Sequence, residues 1–256
     1  APISLSIWEE PGLLVKGHEQ PPMLLTGHHN AAYEDWVEGQ GYETAKRLLT
    51  YELEVQRGFS PLINRIVTSA ERSSRIHLRT VDKSEFARDA AICINILNDA
   101  WSKNWGFVPF TEAEIAYGTK KLKPLILEGA NLIAEVDGEP AAFMIAWPDI
   151  NQKLKDFDGK LFPFNWAKLL WWLRKPTNAG FRVPLMGVLS KYQNSRLASQ
   201  LAFMMIEHIR RYAMEAHNAQ RGEVGWVLED NQGMIAIADA IDSKVNREYR
   251  IYSKNL

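Results

Sequence analysis

The sequence predicts an α/β fold built on a mixed sheet, and two stretches carry that prediction. Residues 181–189 form an apolar run; the polar turn Lys191-Tyr192-Gln193-Asn194-Ser195-Arg196 follows, then a long amphipathic segment, then a second apolar run at 223–228. Strand, turn, helix and strand in that order make a crossover, which joins parallel strands with a right-handed connection. Residues 131–136 and 140–147 are apolar runs parted by Asp137-Gly138, the dipeptide of a tight hairpin turn, so these strands pair antiparallel.

From the amino terminus, Ile3-Ser4-Leu5-Ser6-Ile7-Trp8 alternates like a strand with no lead-in and Ala1 stands first, so the chain is expected to be the carboxyl-terminal part of a longer polypeptide. Pro11-Gly12, Gly17 and Pro21-Pro22 then separate short apolar runs and imply strands and loops up to residue 27. Asn30 is an N-cap for a helix carrying Tyr33, Trp36 and Val37, closed by Gly39 and Gly41. A strand is expected at 48–55. The polar stretch 56–74, with a short helix at 62–67, marks a boundary between a partial amino-terminal unit, 1–74, and a domain spanning 75–256.

That domain opens on an alternating strand at 76–81. Asp82 or Ser84 then caps a helix to about residue 102, striped by Phe86, Ala90, Ile94 and Leu97. Thr111-Glu112-Ala113-Glu114 is a capping box for a helix ending near residue 126. After the hairpin, residues 148–180 read as an insertion rich in aromatics. There Trp166, Leu169, Leu170 and Leu173 recur at i, i+3, i+4 and i+7, which predicts a helix packed on the sheet. A lid over an apolar acyl or substrate group is one alternative; a membrane contact through 162–173 is the one the sequence favours least. A helix at 194–217, a strand at 223–228, a helix at 232–241 and a strand at 247–252 complete the order. Asn30 with its helix, Gly41-Tyr42 and the strand beyond echo Asn231, its helix and the strand holding Tyr249.

The chain has 256 residues, 46% hydrophobic and 24% charged, the balance of one or two globular domains. A net charge of −1 gives no electrostatic footprint for nucleic acid. No apolar run is long enough to span a bilayer and no signal peptide is recognisable, so a cytoplasmic setting is expected. The lone Cys93 sits in an apolar run and is expected to pack as a small core residue. His28-His29 beside Glu34 and Asp35 read as a polar turn, because adjacent side chains on a strand face opposite ways; no metal is expected.

At the start of the helix near residue 195, unpaired backbone amides and the positive end of the helix dipole face whatever lies beyond the preceding strand. A phosphate-bearing cofactor would dock there. The turn Gln193-Asn194-Ser195-Arg196-Leu197-Ala198, in this place among the elements, resembles the Q/R-x-x-G-x-G/A loop of the GCN5-related N-acetyltransferase (GNAT) superfamily. Trp226-Val227-Leu228-Glu229-Asp230-Asn231 resembles that family's fifth strand and the helix after it. The resemblance implies an acyl-CoA N-acyltransferase fold: a mixed, mostly antiparallel sheet with a splayed parallel pair and helices on both faces. It further implies acetyl-CoA or another acyl-CoA as cosubstrate, held by Gly187, Val188 and Leu189 of the splayed strand, by the loop Gln193 to Ala198, and by Asn231. Glu229 and Asp230 stand where a carboxylate could face the acceptor amine; Asp230 or Asn231 as a helix cap is the alternative. Arg196 replaces the usual loop glycine and either blocks the pyrophosphate or binds it through its guanidinium. Ala238 stands where many members carry a tyrosine acid, and neither Tyr249 nor Tyr252 is assigned that role. The opening segment resembles the second half of another such domain, as in a tandem protein.

Two functions follow from this resemblance. One is N-acyl transfer from an acyl-CoA to a small-molecule or peptide amine. The other is a catalytically inactive binding or scaffold protein that keeps the fold with a degenerate cofactor loop.

Overall fold

The computed structural model describes residues 7, 8, 10–123 and 126–255. Except for Ile7 and Trp8, which lie in a turn, the strand expected at 3–8 falls outside them. The strands are β1 (Leu13–Lys16), β2 (Glu43–Glu54), β3 (Ile76–Thr80), β4 (Asn131–Val136), β5 (Glu139–Pro148), β6 (Phe181–Val188), β7 (Arg221–Leu228) and β8 (Lys244–Ser253). The helices are α1 (Ala32–Gly39), α2 (Pro61–Glu71), α3 (Phe86–Ala100), α4 (Glu112–Leu122), α5 (Ile150–Leu154), α6 (Asn165–Arg174), α7 (Arg196–His217) and α8 (Gln232–Ala240).

Among the described residues the strands form one sheet in the order β1-β8-β2-β7-β6-β5-β4-β3, and β6 with β7 is its parallel pair. This is the mixed α/β fold that the sequence predicts. The alternation of side chains along β4 and β5 sorts the core into two layers. Leu132, Ala134, Ala142 and Met144 face α2 and α7, whereas Ile133 and Phe143 face α3. β2 lies between β7 and β8, so residues 43–54 are interior to the same sheet that residues 76–253 build.

Local signals hold where side chains close their own turns. Thr111 donates from N and Oγ1 to Glu114 Oε2 at 2.8 and 2.7 Å, and Glu114 N returns a bond to Thr111 Oγ1, the reciprocal capping box. Asp137 takes φ +53° and Gly138 φ +84°, the positive angles of a two-residue hairpin turn. Elsewhere the bounds shift. β2 begins five residues before the expected 48, because its first residues, Glu43 to Arg47, pair backbone to backbone with β8 and carry no large apolar side chain to mark them. α3 begins only at Phe86, since Asp82 Oδ1 is spent accepting from Ser84 N and Oγ in a turn.

The structure corrects one expectation outright. α6 does not pack on the sheet, and none of its residues is buried. Its i, i+3, i+4, i+7 stripe is apolar without being core. Of its apolar residues only Leu169, Trp172 and Leu173 are half-buried.

Candidate active site

β6 and β7 pair only through Phe181–Gly222, Arg182–Glu223 and Val183–Val224. Beyond Val183, Pro184 offers no amide, and a bulge in the pairing of β5 with β6 falls at the same place. From there the strands part, each held from outside: β6 by β5 as far as Val188, β7 by β2 as far as Leu228. The sheet opens as a wedge.

The wedge and the facing ends of α7 and α8 enclose a cleft of about 580 Å³, the size of a ligand site. Gly187 and Val188 line it from β6, Gln193, Asn194, Ser195, Arg196 and Ala198 from the loop and helix start, and Asn231 from the start of α8. The structure thus brings eight of the ten expected cofactor residues to one cavity. Leu189 and Leu197 are absent from its lining and pack against the two core layers instead. Gly187 has to be small: a Cβ there would stand 2.8 Å from the Phe143 ring.

The loop is built by its own side chains. Asn194 takes φ +60°, the left-handed turn that Asn tolerates. Ser195 caps α7, its Oγ accepting from Ala198 N at 3.3 Å and donating to Tyr192 O. Gln193 Nε2 donates to Val188 O at 2.9 Å and to Ala100 O at 3.2 Å, tying the loop to β6 and the end of α3. The amides of Arg196 and Leu197 are left without helical partners at the positive end of a 22-residue helix. Arg196 is exposed on the cleft and makes no ion pair among the described residues.

The two candidate carboxylates sit beyond the end of β7 and do not line the cleft. Glu229 is half-buried and bound through one oxygen, Oε1, which accepts from Arg47 N at 3.1 Å. Asp230 is exposed and paired with Lys46 at 2.5 Å, and that partner holds its carboxyl below the usual carboxylate range. Asn231 is the cap of α8, its Oδ1 accepting from Met234 N at 3.1 Å. Ala238 is buried against Tyr51 and Val227, and Tyr249 donates its hydroxyl to Gly27 O.

The closed end of the wedge is clamped by buried charge. Arg182 donates Nη2 to Gly225 O and Nη1 to Leu25 O, both at 2.9 Å, while its Nε stands 3.6 Å from Glu223 without a hydrogen bond. Glu223 also binds Arg247, which reaches Pro21 O. Burial pushes the Arg182 guanidinium down, with Glu223 opposing the shift. Paired this way, the charges fasten residues 21–25 across β6, β7 and β8, just where the strands begin to part.

Other wall residues, Trp101 foremost, escape the sequence reading. Trp101 donates Nε1 to Met186 O at 3.0 Å and sits 6.0 Å from the Trp226 ring, with Asn104 beside it. Gly233 and Phe203 are also among the wall residues. The signal for Trp101 was an aromatic at a helix end followed by polar residues, and only the sheet opening gives that meaning.

No family model matches the chain. The chain is similar to the "Bacterial ceramide synthase" of Caulobacter vibrioides (strain NA1000 / CB15N), 40% identical over 255 residues. It is similar also to "Protein YghO" of Escherichia coli (strain K12), 37% identical over 257 residues. It spans 66% and 65% of those proteins, just under two thirds of each. Among solved structures it resembles a tandem GNAT protein from the clavulanic acid biosynthesis pathway, with TM-score 0.55 and 13% identity, covering 94% of this chain and 62% of that one. A GCN5-related N-acetyltransferase from Sphaerobacter thermophilus aligns with TM-score 0.54 and 12% identity over 88% of this chain and 56% of its own.

Proposed function

The chain has the fold of the GCN5-related N-acetyltransferase superfamily, and from that premise we propose that it transfers an acyl group from an acyl-CoA to an amine. The observation that carries the reading is the cleft itself: parted parallel strands, free helix-end amides and Arg196 meet in one cavity of cofactor size. Pyrophosphate would lie against the amide and the guanidinium of Arg196, each contact charge-assisted. The pantetheine arm would follow the freed edge of β6 past Gly187 and Val188, which brings the thioester to the point near Pro184 where the strands part.

There the amine nitrogen attacks the thioester carbonyl, the carbon–sulfur bond breaks, and the thiolate leaves to take up a proton as free thiol. The proton lost from the amine passes to water in the open wedge, because Glu229 and Asp230, the carboxylates singled out in the sequence, lie beyond the end of β7 and outside the cleft. Holding both reactants in line accounts for much of the rate such an enzyme needs, so a local tyrosine acid is dispensable. The relative named a ceramide synthase suggests the acceptor class: a ceramide is the amide of a long-chain amino alcohol, so we propose an amine of that kind and a long acyl donor. We propose further that residues 1–74 come from a preceding acetyltransferase-like half whose strands β1 and β2 are shared with this sheet, as the coverage of the tandem structure suggests.

Thermal unfolding with CoA, acetyl-CoA and a long-chain acyl-CoA tests the reading. A ligand at one hundred times its Kd stabilises by about 2.7 kcal/mol, a rise of roughly 5–10 °C for a chain of this size. The expected order is long-chain acyl-CoA above acetyl-CoA. No rise with any of the three would leave the inactive scaffold as the better account.

A further inference from the structure

We infer that the insertion between β5 and β6 is a docking surface for an anionic phospholipid bilayer. Of the fourteen large apolar side chains exposed among the described residues, six fall within residues 161–171: Leu161, Phe162, Phe164, Trp166, Leu170 and Trp171. Scattered exposed apolar residues are ordinary, but a concentration of this kind marks a contact surface. Phe162, Phe164 and Trp171 are each more than 70% exposed. In α6 the half-buried Leu169, Trp172 and Leu173 turn toward the protein, which leaves Trp166, Leu170 and Trp171 on the outer face with Lys168 and Arg174 at its margins.

Charge selects the partner. Residues 159–180 contain Lys160, Lys168, Arg174 and Lys175 and no acid, a local charge of +4 on a chain whose net charge is −1. None of the four forms an ion pair among the described residues; the one hydrogen bond that their side chains make there runs from Lys168 Nζ to Asn165 Oδ1 at 3.2 Å. A second copy of the chain would set this basic face against itself, because a two-fold interface matches a patch with its own image. An anionic lipid surface instead answers both features: Trp and Phe settle at the headgroup level, and each nearby base strengthens binding about fivefold. This surface requires no cofactor, so it stands or falls apart from the acyl-transfer reading.

Co-sedimentation of the full chain with vesicles of phosphatidylcholine alone, and of phosphatidylcholine mixed with phosphatidylglycerol, provides the test. Binding is expected to the mixed vesicles and to weaken as salt rises. The double variants Leu170→Ser with Trp171→Ser, and Lys168→Glu with Arg174→Glu, should each bind more than about tenfold more weakly at an unchanged unfolding temperature, since these side chains are exposed. Binding that both variants retain, or equal binding to the two vesicle types, overturns the proposal. So does no vesicle binding at all, or a concentration-dependent dimer that the Leu170/Trp171 variant abolishes, which would assign the face to a protein partner or a second copy.

Discussion

Arg196 is the residue on which the cofactor reading turns. Standing where the resembling loop has glycine, it left two outcomes open in the sequence, obstruction or ligand. At the first position of α7, exposed on the cleft and without an ion pair among the described residues, its guanidinium is available to an anion. A charge-assisted bond of this kind is worth about 1.5–3 kcal/mol, or roughly tenfold to a hundredfold in affinity. Arg196→Glu should therefore weaken acyl-CoA binding by at least about tenfold in calorimetry, with the unfolding temperature unchanged. Tighter binding by Arg196→Gly would show the side chain to be an obstruction. Cys93, by contrast, was fully legible from its apolar run: it is 3% exposed, and burial pushes its thiol up to about 12.

Elements were legible where side chains carry a local code and misread where the partner is distant. The capping box of α4 and the Asp137-Gly138 turn close on themselves, so sequence sufficed. For α6 the stripe that normally marks a core face was real, but periodicity reports which residues share a side and not what that side meets. The start of β2 was missed for the opposite reason, as backbone pairing with β8 holds charged residues in a strand. β2 is also an interior strand whose Leu48 and Thr50 are fully buried between β7 and β8. A chain beginning at residue 75 lacks it, which leaves β8 without its link to β7 and exposes two ladders of unpaired backbone. Such a chain should be insoluble or melt without a cooperative transition by circular dichroism; a soluble, cooperatively melting product would show that β2 is dispensable.

Across the whole molecule, charge fastens the amino-terminal elements to the sheet. Glu248 of β8, 2% exposed, accepts from Arg47 of β2 and Arg250 and pairs with Lys16 of β1. Burial opposes its ionisation, but these three cations prevail and hold its carboxyl at about 2, below the ordinary 4.5. A depressed carboxylate contributes stability that is complete above the unfolded value and is lost as pH falls toward the folded one. Stability should thus fall by about 2–3 kcal/mol between pH 4.5 and pH 2 on this account. Glu248→Gln should be less stable at pH 7 and show a shallower loss over that window in denaturant titrations; an unchanged slope would remove Glu248 from the explanation. The sequence by itself determined the order of strands and helices apart from the short α5, the crossover and the loop at residues 193–198, because propensity, capping and turn chemistry act over a few residues. Only the tertiary structure decided that β2 enters the sheet, that β6 and β7 part beyond Val183, that Asp230 is paired with Lys46, and that α6 faces outward. Each of these depends on contacts between residues far apart in the chain, and a local pattern leaves such contacts undetermined.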